Sequence, residues 1–260
     1  MEMQTVISSE SYIILAVIAM LGLVALIYLL SPMSLLEDIT TRGAEIRTRL
    51  REFLARPTYT TDTRTVLVIG AADQALEHHE AVWRLRASKL NGSALAMIRL
   101  VWDAMFRALW INAVATDEQV EQQSNDELDW RRIPVRTDIK RVYFGMPEDP
   151  EKAAELDKVF GEFNELWKIL SSYTHSGALQ LARRFSFDEV KPSYTEHELA
   201  QALSAATEAL LFCSVLLLKS LHLHEEADET VTMRQRYHAE FDERLRTAKG
   251  ADTKLERRGV

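Results

Sequence analysis

A run of nineteen uncharged residues, Tyr12–Leu30 (YIILAVIAMLGLVALIYLL), constrains this chain more than any other feature. As a helix it spans roughly 28 Å, close to the hydrocarbon thickness of a bilayer. No other stretch is as long and as apolar, so residues 1–31 are expected to form a single transmembrane anchor, with the lipid bilayer as the first partner. A cleaved signal peptide is disfavoured: Glu2 and Glu10 precede the run with no Lys or Arg, and Ser31-Pro32-Met33 is a poor cleavage site. Arg42, Arg47 and Arg49 follow the run and no basic residue precedes it. The short N-terminus is therefore expected outside and the body in the cytoplasm, at a bacterial inner membrane.

The rest of the chain, about 230 residues, is long enough to bury a full core. Only 9 Gly and 6 Pro, with few alternating β-branched residues, point to an all-α fold. A net charge of -8 argues against broad, sequence-independent nucleic-acid binding, which relies on a positive surface. The lone Cys213 cannot form an internal disulfide.

Hydrophobic periodicity divides the body. Residues 33–57 read as an amphipathic juxtamembrane helix, opened by Ser34-x-x-Glu37 and striped by Leu36, Ile39, Ile46, Leu50 and Phe53. Residues 62–227 read as an up-and-down bundle of four to five long helices. Within it a helix from Arg64 is expected to stop at Asn91-Gly92, and Ser93 to Ala115 forms an almost wholly apolar central helix. Thr116-x-x-Gln119 and Thr195-x-x-Glu198 read as capping boxes. The apolar helix after Thr195 is expected to be core and not a second span. Residues 228–260, charged with both signs interspersed, are expected to be a solvated helix and tail.

Two polar stripes interrupt apolar helices. Arg99, Asp103 and Arg107 recur every fourth residue and form one column. Charges in so apolar a helix must pair, reach solvent or meet a ligand. One reading is an Arg–Asp–Arg ladder that sets the register of the bundle. The other is an arginine-lined groove for phosphate or carboxylate, which the planar guanidinium fork suits. The second stripe is Asn164, Lys168, Ser171 and His175. A histidine there either caps its helix or acts as a general acid or base. Arg183 and Arg184 follow and add positive charge. The histidine pairs His78/His79 and His222/His224 do not converge, so no metal and no cofactor are expected.

The blocks Arg99-Leu-Val-Trp-Asp103-Ala-Met-Phe-Arg107-Ala-Leu-Trp110, Ala115 to Val120, Ser172-Tyr-Thr-His175-Ser-Gly177, Gln180, Arg183-Arg184, Pro192-Ser-Tyr194 and Glu198 resemble a bacterial domain family of unknown function, similar to the HEPN-like all-α domains. The resemblance runs over roughly residues 64 to 225. It implies a dimeric helical bundle, often an RNA-cleaving toxin or antiviral effector whose motif is an Arg, then four to six residues, then a His, without metal. Here the positions five, six and seven before His175 are Leu170, Ile169 and Lys168. A nuclease would then use His175 and Lys168, with phosphate contacts from Arg99, Arg107, Arg183 and Arg184, and with Asp103 and Tyr173 orienting them. The primary expectation is a non-enzymatic, membrane-anchored interaction or sensor module in bacterial stress or phage defence, a homodimer that binds RNA or another protein. The alternative is a metal-independent endoribonuclease.

Overall fold

The computed structural model describes residues 34–55, 62–145, 150–175, 177–186, 189–190 and 193–256. The chain divides into two units, Met1–Ser34 and Leu35–Val260. The anchor expected over Tyr12–Leu30 lies outside the described residues. Among those described, one helix has the length and apolarity of a membrane span, Glu196–Ser220, and more than half of its most apolar stretch is buried inside the bundle.

The body is all-α. Helices α1 (Leu35–Leu54), α2 (Thr63–Ala87), α3 (Asn91–Ala113) and α4 (Asp117–Ser124) are followed by a 3-10 turn at Trp130–Arg132 and the short α5 (Val135–Ile139). α5 runs into a π-helical turn, Lys140–Phe144. Then come α6 (Pro150–Thr174), α7 (Ala178–Ala182), α8 (Glu196–Ser220) and α9 (His224–Glu256). A two-residue antiparallel ladder, β1 (Phe185–Ser186) with β2 (Glu189–Val190), ties the loop before α8.

α3 and α8 are the apolar centre. α3 packs against α2, α8 and α6, and α8 packs against α3, α9 and α1. Ile98, Val101, Met105, Leu109 and Trp110 of α3 meet Leu203, Leu210, Leu211 and Leu217 of α8 in one core cluster. Two of the three expected capping boxes are present: Thr116 Oγ1 accepts from the Gln119 N–H and Thr195 Oγ1 from the Glu198 N–H, with each Gln/Glu side chain returning to the cap backbone.

Two boundaries differ from the sequence reading. Asn91-Gly92 does not end α2; it begins α3. The turn uses Lys89 at φ 61°, and the Leu90 N–H reaches back to the Leu85 carbonyl. The left-handed residue that usually marks a helix end as Gly is here a lysine, so the glycine misdirects the reading. Residues 228–260 are not merely solvated. Ala227, Thr230, Tyr237 and Phe241 are fully or almost fully buried, and Tyr237 Oη donates to Ser204 Oγ at 3.0 Å. Their spacings of three, seven and four residues are helical but too sparse among charges to stand out in the sequence. α9 also runs antiparallel to α1 through Arg244–Asp38, Arg42–Glu240 and Arg49–Glu229 ion pairs.

The stripe expected on α1 is buried, with Gly43 added to it. A Cβ at Gly43 would meet Trp83 Cζ2 at 2.8 Å and Thr207 Oγ1 at 3.1 Å, so glycine is what lets α1 approach α2 and α8. Beneath it lies His79, completely buried. Arg47 Nη1 stands 3.5 Å from Nδ1, Trp83 Nε1 donates to the ring, and Nε2 is 3.2 Å from Thr207 Oγ1. Arginine and indole only donate, and the Thr207 hydroxyl points at the Leu203 carbonyl. This assigns His79 as neutral, protonated on Nε2 and accepting at Nδ1. Burial, reinforced by Arg47, pushes its pKa down to about 3.

Two predictions follow from this node. Gly43→Ala overpacks it and lowers unfolding free energy by about 1–3 kcal/mol in a urea titration. Because the folded His79 resists protonation, the unfolded chain binds the extra proton between its ordinary pKa of about 6.5 and the folded value of about 3. Stability is full above pH 6.5 and falls as pH drops through that window, by at most about 1.4 kcal/mol per unit. His79→Gln removes most of that slope between pH 6.5 and 5.

Candidate functional site

α3 is packed nearly all round, and its one open flank carries the charged column. Arg99, Asp103 and Arg107 are half-buried, each a turn above the last, as four-residue spacing requires. They line a cavity of about 560 Å³ whose other walls are Phe106, the Trp130–Thr137 segment and Trp167 of α6. That volume is typical of small-molecule sites. A shallow hollow of about 660 Å³ on α1, lined by Thr40, Ala44, Thr48 and exposed ion pairs, has no converging set of polar groups.

The arginines lie on aromatic faces. Arg107 Cζ is 4.8 Å from the Trp130 ring centroid. Arg99 and Arg136 lie 5.0 and 4.8 Å from that of Trp167, which also stacks on Phe106 at 6.3 Å. Arg136 Nη1 donates to Asn164 Oδ1 at 2.7 Å. Such contacts hold guanidinium planes in fixed orientations at little entropic cost. Burial pulls the Arg136 pKa below its ordinary value, opposed by the Asp103 charge. Asp103 moves up: burial outweighs the attraction of Arg99, Arg107 and Arg136.

The two stripes meet. Arg99 Nη1 stands 2.8 Å from His175 Nε2 at the end of α6. Arginine is donor-only, so Nε2 is the unprotonated nitrogen in this contact. His175 follows the last helical residue, and its backbone N–H donates to the Ser171 carbonyl at 3.0 Å. α6 touches α3 beside it through Thr174 Oγ1, whose single proton is shared between the Leu170 carbonyl of its own helix at 3.0 Å and the Ala96 carbonyl of α3 at 3.3 Å.

The other expected site residues go elsewhere. Lys168 is exposed and pairs with Glu165 at 2.6 Å, outside the cavity lining. A helical wheel fixes its direction but not what faces it. Arg183 is committed to Glu198 and to the Ser193 carbonyl at 3.1 Å, closing the loop that carries β1 and β2. Arg184 lies beside Gly92 at the start of α3, where a Cβ would come within 3.4 Å of its Nη2. Tyr173 is half-buried against the core. Sequence reasoning missed Arg136 and Trp130. The segment Trp130-Arg-Arg-Ile-Pro-Val-Arg136 does carry a signal, an aromatic among three arginines in a stretch broken by Pro134. Among the described residues, no group of three His, Cys, Asp or Glu side chains is arranged to hold a metal.

A family model described as a family of unknown function (DUF6988) matches residues 72–246, and the chain belongs to that family. The match takes in the whole groove and the buried stripe of α9, and begins after α1. No curated protein matches the chain, and no solved structure does.

The placement of Lys168 and Arg183 is testable by stability alone. Lys168→Ala shifts the denaturation midpoint by no more than about 0.5 kcal/mol equivalent, as for an exposed pair. Arg183→Ala costs about 1–2 kcal/mol through the freed Glu198 and Ser193 groups. Equal effects of the two would contradict this assignment.

Proposed function

We propose that this member of the family is a membrane-anchored, HEPN-like helical binding module whose α3 groove takes a phosphate-bearing ligand. The observation that carries the reading is the convergence of Arg99, Arg107 and Arg136 on one cavity of about 560 Å³. Four guanidiniums, those three and Arg131 at the rim, against the single lining carboxylate of Asp103 leave the groove positive on a chain of net charge -8. A local positive cleft on an acidic surface concentrates phosphate groups in the groove while the rest of the surface gives no sequence-independent hold on nucleic acid. The Tyr12–Leu30 run and the arginines after it supply the membrane attachment, with the body on the cytoplasmic side. The resemblance to HEPN-like domains extends the reading to a homodimer that reports stress or phage infection to a partner protein.

A second reading is favoured by one specific contact, Arg99 Nη1 to His175 Nε2 at 2.8 Å. It brings together from two helices the Arg and His that the resemblance implies within one short motif. In that reaction His175 Nε2 takes the proton of a ribose 2′-hydroxyl and the 2′-oxygen attacks the adjacent phosphorus. The 5′-oxygen leaves and is protonated by solvent, giving a 2′,3′-cyclic phosphate, while Arg99 holds the phosphoryl oxygens.

The binding reading is tested by calorimetric titration with ribose 5-phosphate and inorganic pyrophosphate. Binding weakens at least tenfold, about 1.4 kcal/mol, in Arg107→Ala and in Arg136→Ala. No binding of either compound at millimolar concentration would overturn it. The nuclease reading predicts RNA cleavage in the presence of a metal chelator, lost in His175→Ala and in Arg99→Ala. Cleavage that persists in a folded His175→Ala variant would exclude it.

A further inference from the structure

The carboxylate in the middle of the arginine column is unexplained by anion binding. Asp103 weakens the attraction of Arg99 and Arg107 for any phosphate, and a groove built only for phosphate has no use for it. Nor does it lock the bundle. Its only ion-pair contact among the described residues is Arg99 Nε at 3.6 Å, beyond hydrogen-bond range, and it makes no hydrogen bond there. Arg99 Nε itself is buried without an acceptor. Arg107 and Arg136 rest instead on Trp130, Trp167 and Asn164. The side chain is 30 % exposed, and it opens on the cavity. A half-buried carboxylate lacking donors in an aromatic-walled cavity is poised for donors brought by a ligand.

We propose that the occupant of this groove is a guanine nucleotide, free or as one residue of an RNA strand, whose base edge is read by Asp103. The proposal rests on the phosphate-binding reading and goes further by naming the base. Guanine carries two parallel donors, N1–H and the N2 amine, which match the two oxygens of one carboxylate. The neighbouring O6 and N7 are acceptors, and a guanidinium reads those two. Guanine's edge runs donor, donor, acceptor, acceptor, so it asks for a carboxylate with a guanidinium on one side; Arg107 stands one turn from Asp103 on the cavity wall, while Arg99 on the other side is held by His175. Phe106, Trp130 and Trp167 supply flat walls for the ring, and arginine planes already laid on the indoles extend them. The phosphate is left to Arg136 and to Arg131, which at the exposed mouth pairs with Asp129 at 2.9 Å and exchanges that solvent-screened partner for the ligand. Adenine, cytosine and uracil each present one donor group to such a carboxylate, and guanine presents two.

The test is calorimetric titration of the full wild-type chain in detergent micelles at fixed ionic strength with GMP, UMP and ribose 5-phosphate, and with two tetranucleotides, one all-uridine and one with a single guanosine. GMP is expected to bind at least tenfold more tightly than UMP or ribose 5-phosphate, and the guanosine tetranucleotide at least tenfold more tightly than its all-uridine counterpart. A tetranucleotide tighter than GMP identifies a strand as the source; equal affinities identify the free nucleotide. Asp103→Asn brings GMP down to the level of ribose 5-phosphate while ribose 5-phosphate binds at least as well as before. Wild-type affinities for GMP, UMP and ribose 5-phosphate within threefold of one another would overturn the base assignment and leave phosphate binding standing. Absence of binding by all of them overturns both. The wild-type comparison needs no variant to fold.

Discussion

α3 is held on three sides, by α2, α8 and α6, and from Ile98 to Trp110 every residue but Arg99, Leu100, Asp103 and Arg107 is buried in the core. A helix in that position leaves a single strip on which charge can survive desolvation. Arg99, Asp103 and Arg107 occupy that strip, and everything distinctive about the molecule is arranged around it. α6 brings Trp167 and His175 to one side; the Pro-broken segment after α4 brings Trp130 and Arg136 to the other. The groove is thus a consequence of how tightly the remainder of α3 is packed.

The packing that permits this is tuned elsewhere, at the contact of α1, α2 and α8. Gly43 lets the backbone of α1 approach Trp83, and His79 completes its hydrogen bonding only as a neutral ring. That node is a buried polar network with every member engaged, and such networks fix one arrangement of helices over its near neighbours. It has no access to the cavity on α3. His79 and His175 therefore illustrate two uses of one side chain. The first is completely buried and structural, and the second is exposed at a helix end against an arginine.

Much of the fold was legible because helices leave a 3.6-residue imprint: the stripe of α1, the apolar α3 and α8 and the capping boxes at Thr116 and Thr195 stood where expected. The errors have local causes. Lys89 takes the left-handed turn, so the glycine at 92 announced a stop that comes earlier, and Tyr237 and Phe241 were hidden by the charges between them. Of the site, the α3 column was readable from its spacing alone. Arg136 and Trp130 were not, because they come from a segment without periodicity, and tertiary packing alone decides what an irregular segment faces. Arg183 was misassigned for a related reason. Its partner Glu198 lies fifteen residues on, across a loop whose path spacing cannot reveal.

The central claim is that the charges on α3 are kept for a ligand and not for stability. It is tested most directly by the unfolding free energy of the triple variant Arg99→Met, Asp103→Leu, Arg107→Met, in which apolar side chains of similar length keep the contacts with Trp130 and Trp167. Replacing partly buried charges that make little use of one another by packed apolar groups is neutral or stabilising, by up to about 4 kcal/mol. The account predicts a folded variant at least as stable as the parent that no longer binds phosphate-bearing ligands. A loss of about 3 kcal/mol or more would show that the column is a structural ladder holding the bundle in register.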